Sequence, residues 1–414
     1  MMYAGLGRTS GLFAQGRSDI PRYTLWKIVH NVDHYAADNR KGTMLYTCSP
    51  RPGTHLPAAR RAVRKTAGPV IDIHCHILSP AAVELVAQAG LTHDEPQVRF
   101  SNEATRAVNK AQAETVRPQL TSVERRLADM DKMGVDIQAI SPAPPQYYYW
   151  TPPEVGRDVA RLINDNIAAT VAKHPDRLVG LGTVPMQAPE FAVAEMERLV
   201  RELGLRGVEL CTNVAGAELS EEQFRPVFAK AEELGILIFL HPSGFTDGRR
   251  LAQHYFSNVI GNPLDSTVAV SHLIFAGVLD TYPGLKICVA HGGGFLPAYA
   301  GRMDHAHGAR SDCRLCIEHK PSHYLKKMYF DTIVFEPGQL EYLVGTYGSD
   351  HILMGTDYPF DMGMYEPVQF VGDAKLTAAD KAAILGGNAA RLLKLKRQQP
   401  VSRSRPRLQP GTDR

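Results

Sequence analysis

No stretch of this 414-residue chain approaches the roughly 18–20 consecutive apolar residues that a membrane span needs, so no membrane is expected as a partner. Charge of one sign is scarce as well. Lys and Arg number 46 against 43 Asp and Glu, and a formal +3 is too small to point to nucleic acid. Much of that excess sits in Arg60, Arg61, Arg64 and Lys65 and in Lys396, Arg397, Arg403, Arg405, Arg407 and Arg414, which read as solvated ends. Six cysteines over this length do not make a disulfide framework. Cys75, Cys211 and Cys288 fall inside apolar runs, where a thiol behaves as a small buried hydrophobe, and a reducing, cytoplasmic setting is expected. A charged-then-apolar secretory pattern is missing from the N-terminus, and Asp19, Asp33 and Asp38 are out of place in a transit peptide. Internal repeats and low-complexity tracts are missing too.

What is present is a regular alternation. From residue 70 onward, short apolar runs alternate with amphipathic helical patterns, the signature of βα units. Strands are expected at 70–76, 136–141, 178–185, 207–213, 236–242, 286–292, 328–334 and 351–357. Helices are expected at 154–174, 189–203, 220–234, 263–279, 296–310, 337–346 and 377–395. In the second of these, Phe191, Val193, Ala194, Met196, Leu199 and Val200 form one apolar stripe. Gly204 and Gly235 mark helix ends. Two connections, 91–120 and 243–262, read as long inserted loops after strands 1 and 5. The organisation expected is a poorly ordered extension over 1–67, one barrel over 68–397 and a basic disordered tail over 398–414.

Several of the strand candidates end in residues that bind divalent metals: His74 and His76, then His241, His291 and Asp357. A site assembled from strand ends so far apart in sequence requires a fold that gathers those ends at one rim. An α/β fold of the (β/α)8-barrel type does this at its C-terminal mouth. Alternation along a strand sends His74 and His76 to the same side and Cys75 to the other. Two imidazoles inside an apolar barrel would leave nitrogens unsatisfied, and coordination to a cation removes that cost. Three histidines and one carboxylate suit Zn²⁺, although Mn²⁺ and Fe²⁺ accept the same N/O donors. The fourth strand, Gly207-Val-Glu-Leu-Cys-Thr-Asn213, has no lysine to bridge two ions, so one metal is expected, with Glu209 a poor alternative bridge.

Residues 70–395 resemble the amidohydrolase superfamily, in the branch of 2-amino-3-carboxymuconate-6-semialdehyde decarboxylase and related aromatic-acid decarboxylases. The resemblance is carried by Ile71-Asp-Ile-His-Cys-His76, Leu181-Gly-Thr-Val-Pro-Met-Gln-Ala-Pro-Glu190, His241-Pro242, Ala290-His-Gly-Gly-Gly294, Gly355-Thr-Asp-Tyr-Pro-Phe360 and Gly387-Asn388. It implies one Zn²⁺ held by His74, His76, His241 and Asp357, with His291 as the acid/base group and Asp357 also carrying a proton to the substrate. It further implies a substrate-carboxylate role for Arg126, a homodimer in which Arg302 serves the neighbouring subunit, and an apolar wall at Phe360. Asn258 stands where the muconate enzyme has a substrate-facing tryptophan, which makes a phenolic or other unsaturated carboxylate the better expectation.

The activity expected is therefore metal-dependent, non-oxidative decarboxylation of a small unsaturated or aromatic carboxylic acid. The alternative is hydrolysis of a C–C, lactone or amide bond on the same barrel. Cys313-Arg-Leu-Cys316, with His305, His307, His319 and His323 nearby, reads as a polar surface loop in preference to a second zinc site. The run Gln146-Tyr-Tyr-Tyr-Trp150 after the second strand either walls the pocket or packs between elements.

Overall fold

The computed structural model describes residues 68–395, which lie within one compact unit. The expected extension at 1–67 and the tail at 398–414 fall outside the described residues.

Eight parallel strands form one sheet in sequential order. They are β1 (Ile71–Ile77), β2 (Ile137–Pro142), β3 (Leu178–Gly182), β4 (Gly207–Cys211), β5 (Leu237–His241), β6 (Lys286–Val289), β7 (Tyr329–Asp331) and β8 (Ile352–Leu353). The chain beyond β8 closes the barrel against β1, with Ile73 N–H donating to Met354 O at 2.9 Å and His76 N–H to Tyr358 O at 2.8 Å. A two-residue hairpin, Asn213–Val214 with Ala217–Glu218, stands apart from the barrel.

Each strand has an inward and an outward set. On β5, Leu237 and Phe239 join the interior cluster, while Ile238 and Leu240 pack outward under the helices. The first strand breaks this alternation. Ile71 and Ile73 belong to the interior cluster and Cys75 to the outer one, because a register shift between Asp72 and Cys75 inserts a residue. Such a bulge re-aims side chains. Here it turns His74 and His76 toward the interior, where the His74 ring lies 4.9 Å from that of Phe239.

The helices follow the apolar patterns, with two differences. The segment 91–120, read as a polar loop, carries a 19-residue helix at Glu103–Thr121, of which only Thr105, Val116 and Leu120 are buried. So thin an apolar stripe leaves little periodic signal. Pro118, which argues against helix in the sequence, sits in the last turn. In the helix Pro189–Arg201 the buried face is Ala192, Glu195, Met196 and Leu199, displaced from the expected stripe. Glu195 is buried because Asn164 Nδ2 donates to it at 2.7 Å and Arg198 Nη2 at 2.8 Å. The helix Arg225–Leu234 stops at Gly235, whose φ of 58° suits a residue without Cβ. No described helix is long and apolar enough to cross a membrane.

Candidate metal centre

The C-terminal ends of β1 and β5, together with the turns after β6 and β8, bring five chemically competent side chains to one place. Single ligand atoms of His74, His241, His291 and Asp357 lie within 4.8 Å of one another. His76 falls outside that group by this measure, yet its Nε2 is 3.3 Å from Asp357 Oδ1, and His74 Nε2 is 3.2 Å from the same oxygen. The rings of His74 and His76 each lie 4.9 Å from that of His241.

The local structure explains the aim of each ring. His74 Nδ1 pairs with Asp331 Oδ2 at 2.6 Å and His76 Nδ1 with Pro142 O at 3.0 Å, which leaves both Nε2 atoms facing the common centre. Asp331 also accepts the amides of His291 (3.0 Å), Gly292 (2.7 Å) and Ile333 (3.1 Å). His291 and Asp357 both hold φ near 56°, a left-handed conformation that is uncommon outside glycine and concentrates at functional sites. The triple-glycine turn after His291 is demanded by neighbours within the protein. A Cβ on Gly292 would meet Val334 Cγ1 at 2.3 Å, and one on Gly294 would meet Pro263 O at 2.4 Å. The turn therefore seats His291 by packing tightly, whatever room it leaves for a ligand.

The electrostatics ask for positive charge. Burial works against a charged His74, but the Asp357 and Asp331 carboxylates outweigh it and push this imidazole up to about 10. Burial works against ionised Asp357 too, yet His74, His291 and His76 hold its carboxyl well below the usual range. His241 is driven well below its ordinary value, first by burial and then by the other histidines, so it is neutral, the form that ligates. His74 Nε2, His76 Nε2, both ring nitrogens of His241 and Asp357 Oδ1 are buried without a hydrogen-bond partner. Asp357 Oδ1 faces the Nε2 atoms of His74 and His76 at 3.2 and 3.3 Å. So many orphaned lone pairs in one knot fit a bound cation and are costly without one.

The remaining expected residues are dispersed. Arg126 is buried. It is 1% exposed, Nη1 donates to Gln138 Oε1 at 2.9 Å, Nη2 donates to the His76 carbonyl, and the guanidinium lies 5.0 Å from the centre of the Tyr358 ring. Both terminal nitrogens of its fork donate to protein acceptors, which makes it a strut beneath the end of β1. Phe360 lies against the cluster, its ring 5.4 Å from His76. Asn258 is half-buried on the short helix Phe256–Val259, and Arg302 is exposed on the helix Leu296–Ala309. Among the described residues the one candidate metal group is the cluster above, and neither Cys313 nor Cys316 joins it.

Two features escaped the sequence reading. Asp331 is one. The other is a clasp between the two insertions: Asn102 N donates to Ala252 O at 2.9 Å and Asn102 Nδ2 to Gln253 Oε1 at 2.7 Å, while Ser101 and Ser257 hydroxyls meet at 3.2 Å. Next to it Glu95 accepts from Ser243 Oγ at 3.4 Å, and burial pushes its carboxyl from 4.5 up to about 7. The folded state thus holds that proton more tightly than the unfolded state. Stability falls as pH rises from 4.5 to about 7 and stays lowered above it. Glu95→Gln is expected to stabilise the protein by on the order of 1–2 kcal/mol at pH 8, a figure discounted for partial solvent contact, and to converge with wild type near pH 4.5. Urea denaturation at several pH values checks this; parallel curves would contradict it.

Eight parallel strands whose C-terminal ends gather imidazoles and carboxylates define a (β/α)8 barrel built around a candidate metal centre. Residues 71–395 match the Amidohydrolase family, and the chain belongs to it. A 2-amino-3-carboxymuconate-6-semialdehyde decarboxylase of Dictyostelium discoideum is 36% identical over 272 residues, 65% of this chain and 76% of that protein. Among solved structures, 5-carboxyvanillate decarboxylase of Sphingomonas paucimobilis superposes with a TM-score of 0.71 at 28% identity, covering 79% of this chain and 99% of that one. A dihydroxybenzoic acid decarboxylase of Polaromonas sp. JS666, with bound manganese and the inhibitor 2-nitroresorcinol, gives 0.68 at 26% identity, covering 79% and 97%.

Proposed function

We propose that this chain is a carboxy-lyase that removes CO₂, without net oxidation, from a small aromatic or unsaturated carboxylic acid. The observation that carries the reading is the buried knot of unpartnered imidazole nitrogens and Asp357 Oδ1 in a chain whose named relatives are decarboxylases. We assign His74, His76, His241 and Asp357 as ligands of one divalent cation. His76 is preferred to His291 because it is fully buried with Nδ1 anchored, whereas the His291 side chain keeps 15% of its surface open at the mouth. Three imidazoles and a carboxylate favour Zn²⁺, and Mn²⁺ suits the same donors. A cation held there supplies Lewis-acid polarisation of substrate oxygens.

The protein's own groups must then manage one proton. Loss of CO₂ breaks a C–C bond, leaves its electron pair on the ring or chain carbon, and replaces it with a C–H bond. We assign its delivery to His291 and Asp357 acting in relay: a proton given up by His291, whose Nε2 lies 3.7 Å from Asp357 Oδ2, would pass through the otherwise ionised Asp357 to the carbon. His291 Nδ1 has no hydrogen-bond partner, so the ring is free to pass a proton without breaking an existing bond. Phe360 and the half-buried Asn258 shape the wall around the acceptor carbon. An amide at 258 favours a hydroxylated substrate ring that it can hydrogen-bond.

We further propose a homodimer in which Arg302 faces the partner's site. Arg302 lines a largely apolar groove of about 580 Å³ together with Phe275, Phe295, Tyr299 and Met303. Phe295 and Tyr299 are 40% and 61% exposed, which a second copy would cover. Buried free thiols at Cys75, Cys211 and Cys288 fit a reducing, cytoplasmic setting. The deciding experiment supplies the metal-loaded protein with phenolic and conjugated carboxylic acids and measures CO₂ release beside hydrolysed products. CO₂ and a decarboxylated product from at least one acid are expected. Hydrolysis without CO₂ would overturn the assignment.

A further inference from the structure

β4 carries an acidic residue that neither the proposed ligand set nor the proton path uses. In Gly207–Cys211, Val208 and Leu210 pack outward under the helices, whereas Glu209 is in register with inward-facing Phe239 on β5. Glu209 therefore points into the barrel, beside the cluster. It is fully buried. Oε1 accepts the Tyr147 hydroxyl, whereas Oε2 is buried with no hydrogen-bond partner and lies 3.7 Å from His76 Nδ1.

For the fold alone this is a poor choice of residue. A buried carboxylate oxygen left without a donor costs on the order of 1–3 kcal/mol or more, and an apolar side chain would avoid that. The Pro142 carbonyl already accepts from His76 Nδ1 at 3.0 Å, so the tautomer of His76 does not depend on Glu209. What Glu209 adds is a carboxyl oxygen directly behind the imidazole, 3.7 Å from Nδ1 and beyond hydrogen-bond length. A carboxylate there raises the electron-donating power of the opposite nitrogen, Nε2, which faces the proposed ion site. Tyr147 holds the carboxylate in place, and its hydroxyl also lies 3.4 Å from the carbonyl of His241, tying β4 to the end of β5.

We propose that Glu209, held by Tyr147, is a positioning residue that strengthens the grip of His76 on a divalent cation. This rests on the assignment of the ligands made above. The test titrates Zn²⁺ and, separately, Mn²⁺ against a competing chelator at fixed pH, using the full chain as wild type, Glu209→Gln and Tyr147→Phe. Thermal unfolding of each metal-free form is measured alongside. Wild type is expected to take up one ion per chain. Glu209→Gln is expected to bind 10- to 100-fold more weakly, and Tyr147→Phe to be weakened by about tenfold or less. Metal-free Glu209→Gln should unfold at the same temperature as metal-free wild type or higher, since a buried ionisable group has been replaced by a neutral amide of the same shape that keeps the Tyr147 bond. Wild-type affinity in Glu209→Gln would overturn the inference, as would a loss of metal-free stability large enough to explain a weaker affinity. If wild type itself takes up no ion, the ligand assignment falls, and the inference with it.

Discussion

His241→Ala is expected to leave less than about a tenth of an ion per chain after dialysis and to lower CO₂ release by at least about 10³-fold. The reason is geometric and electrostatic together. His241 has both ring nitrogens buried and unpartnered, and burial with the neighbouring histidines keeps it neutral, so its lone pair is available at neutral pH. Removing it leaves two imidazoles and a carboxylate with an open side. The fold should tolerate the loss, because no hydrogen bond of the protein ends on that ring. Elemental analysis, circular dichroism and a CO₂ assay together check the expectation. A variant that retains a full ion per chain would show that His241 is no ligand.

Asp357→Asn separates two jobs assigned to one residue. The amide keeps an oxygen that can reach a cation but carries neither the charge nor a transferable proton. Metal affinity is expected to fall about 10- to 100-fold, a loss that excess metal restores. CO₂ release is expected to stay at least about 10³-fold below wild type even at saturating metal, because the proton for the vacated carbon has lost its carrier. Asp357 sits where this dual role is feasible: Oδ1 faces His74 and His76, and Oδ2 faces His291. Activity within tenfold of wild type at saturating metal would remove Asp357 from the proton path and leave it as a ligand alone.

Much of the architecture was legible because the strands are buried on both faces and bounded by helix stops. Each of the eight expected strands overlaps an observed one. The convergence of His74, His76, His241, His291 and Asp357 was legible for a related reason: residues at strand ends of a closed parallel barrel share one rim. What escaped the reading lacked a periodic or spaced signal. Asp331 is a single acid at the end of Tyr329–Asp331, and nothing in its neighbours shows that it orients His74 and anchors the His291 turn. The bulge in β1 is a register property that appears only once β2 is paired. The helix Glu103–Thr121 was hidden by polar composition and by Pro118. Glu195 was hidden because a carboxylate that is buried through Asn164 and Arg198 looks like a surface residue in an apolar count. The bonds of Arg126 to Gln138 and the His76 carbonyl are likewise visible only in three-dimensional contacts.

Crystals of the metal-loaded protein, measured on either side of the absorption edge of the bound element, test the central claim most directly. The anomalous difference map should contain one strong peak per chain, about 2.0–2.2 Å from a ring nitrogen of each of His74, His76 and His241 and from a carboxylate oxygen of Asp357. A map with no peak inside the barrel mouth, or with its peak on other side chains, would contradict the account.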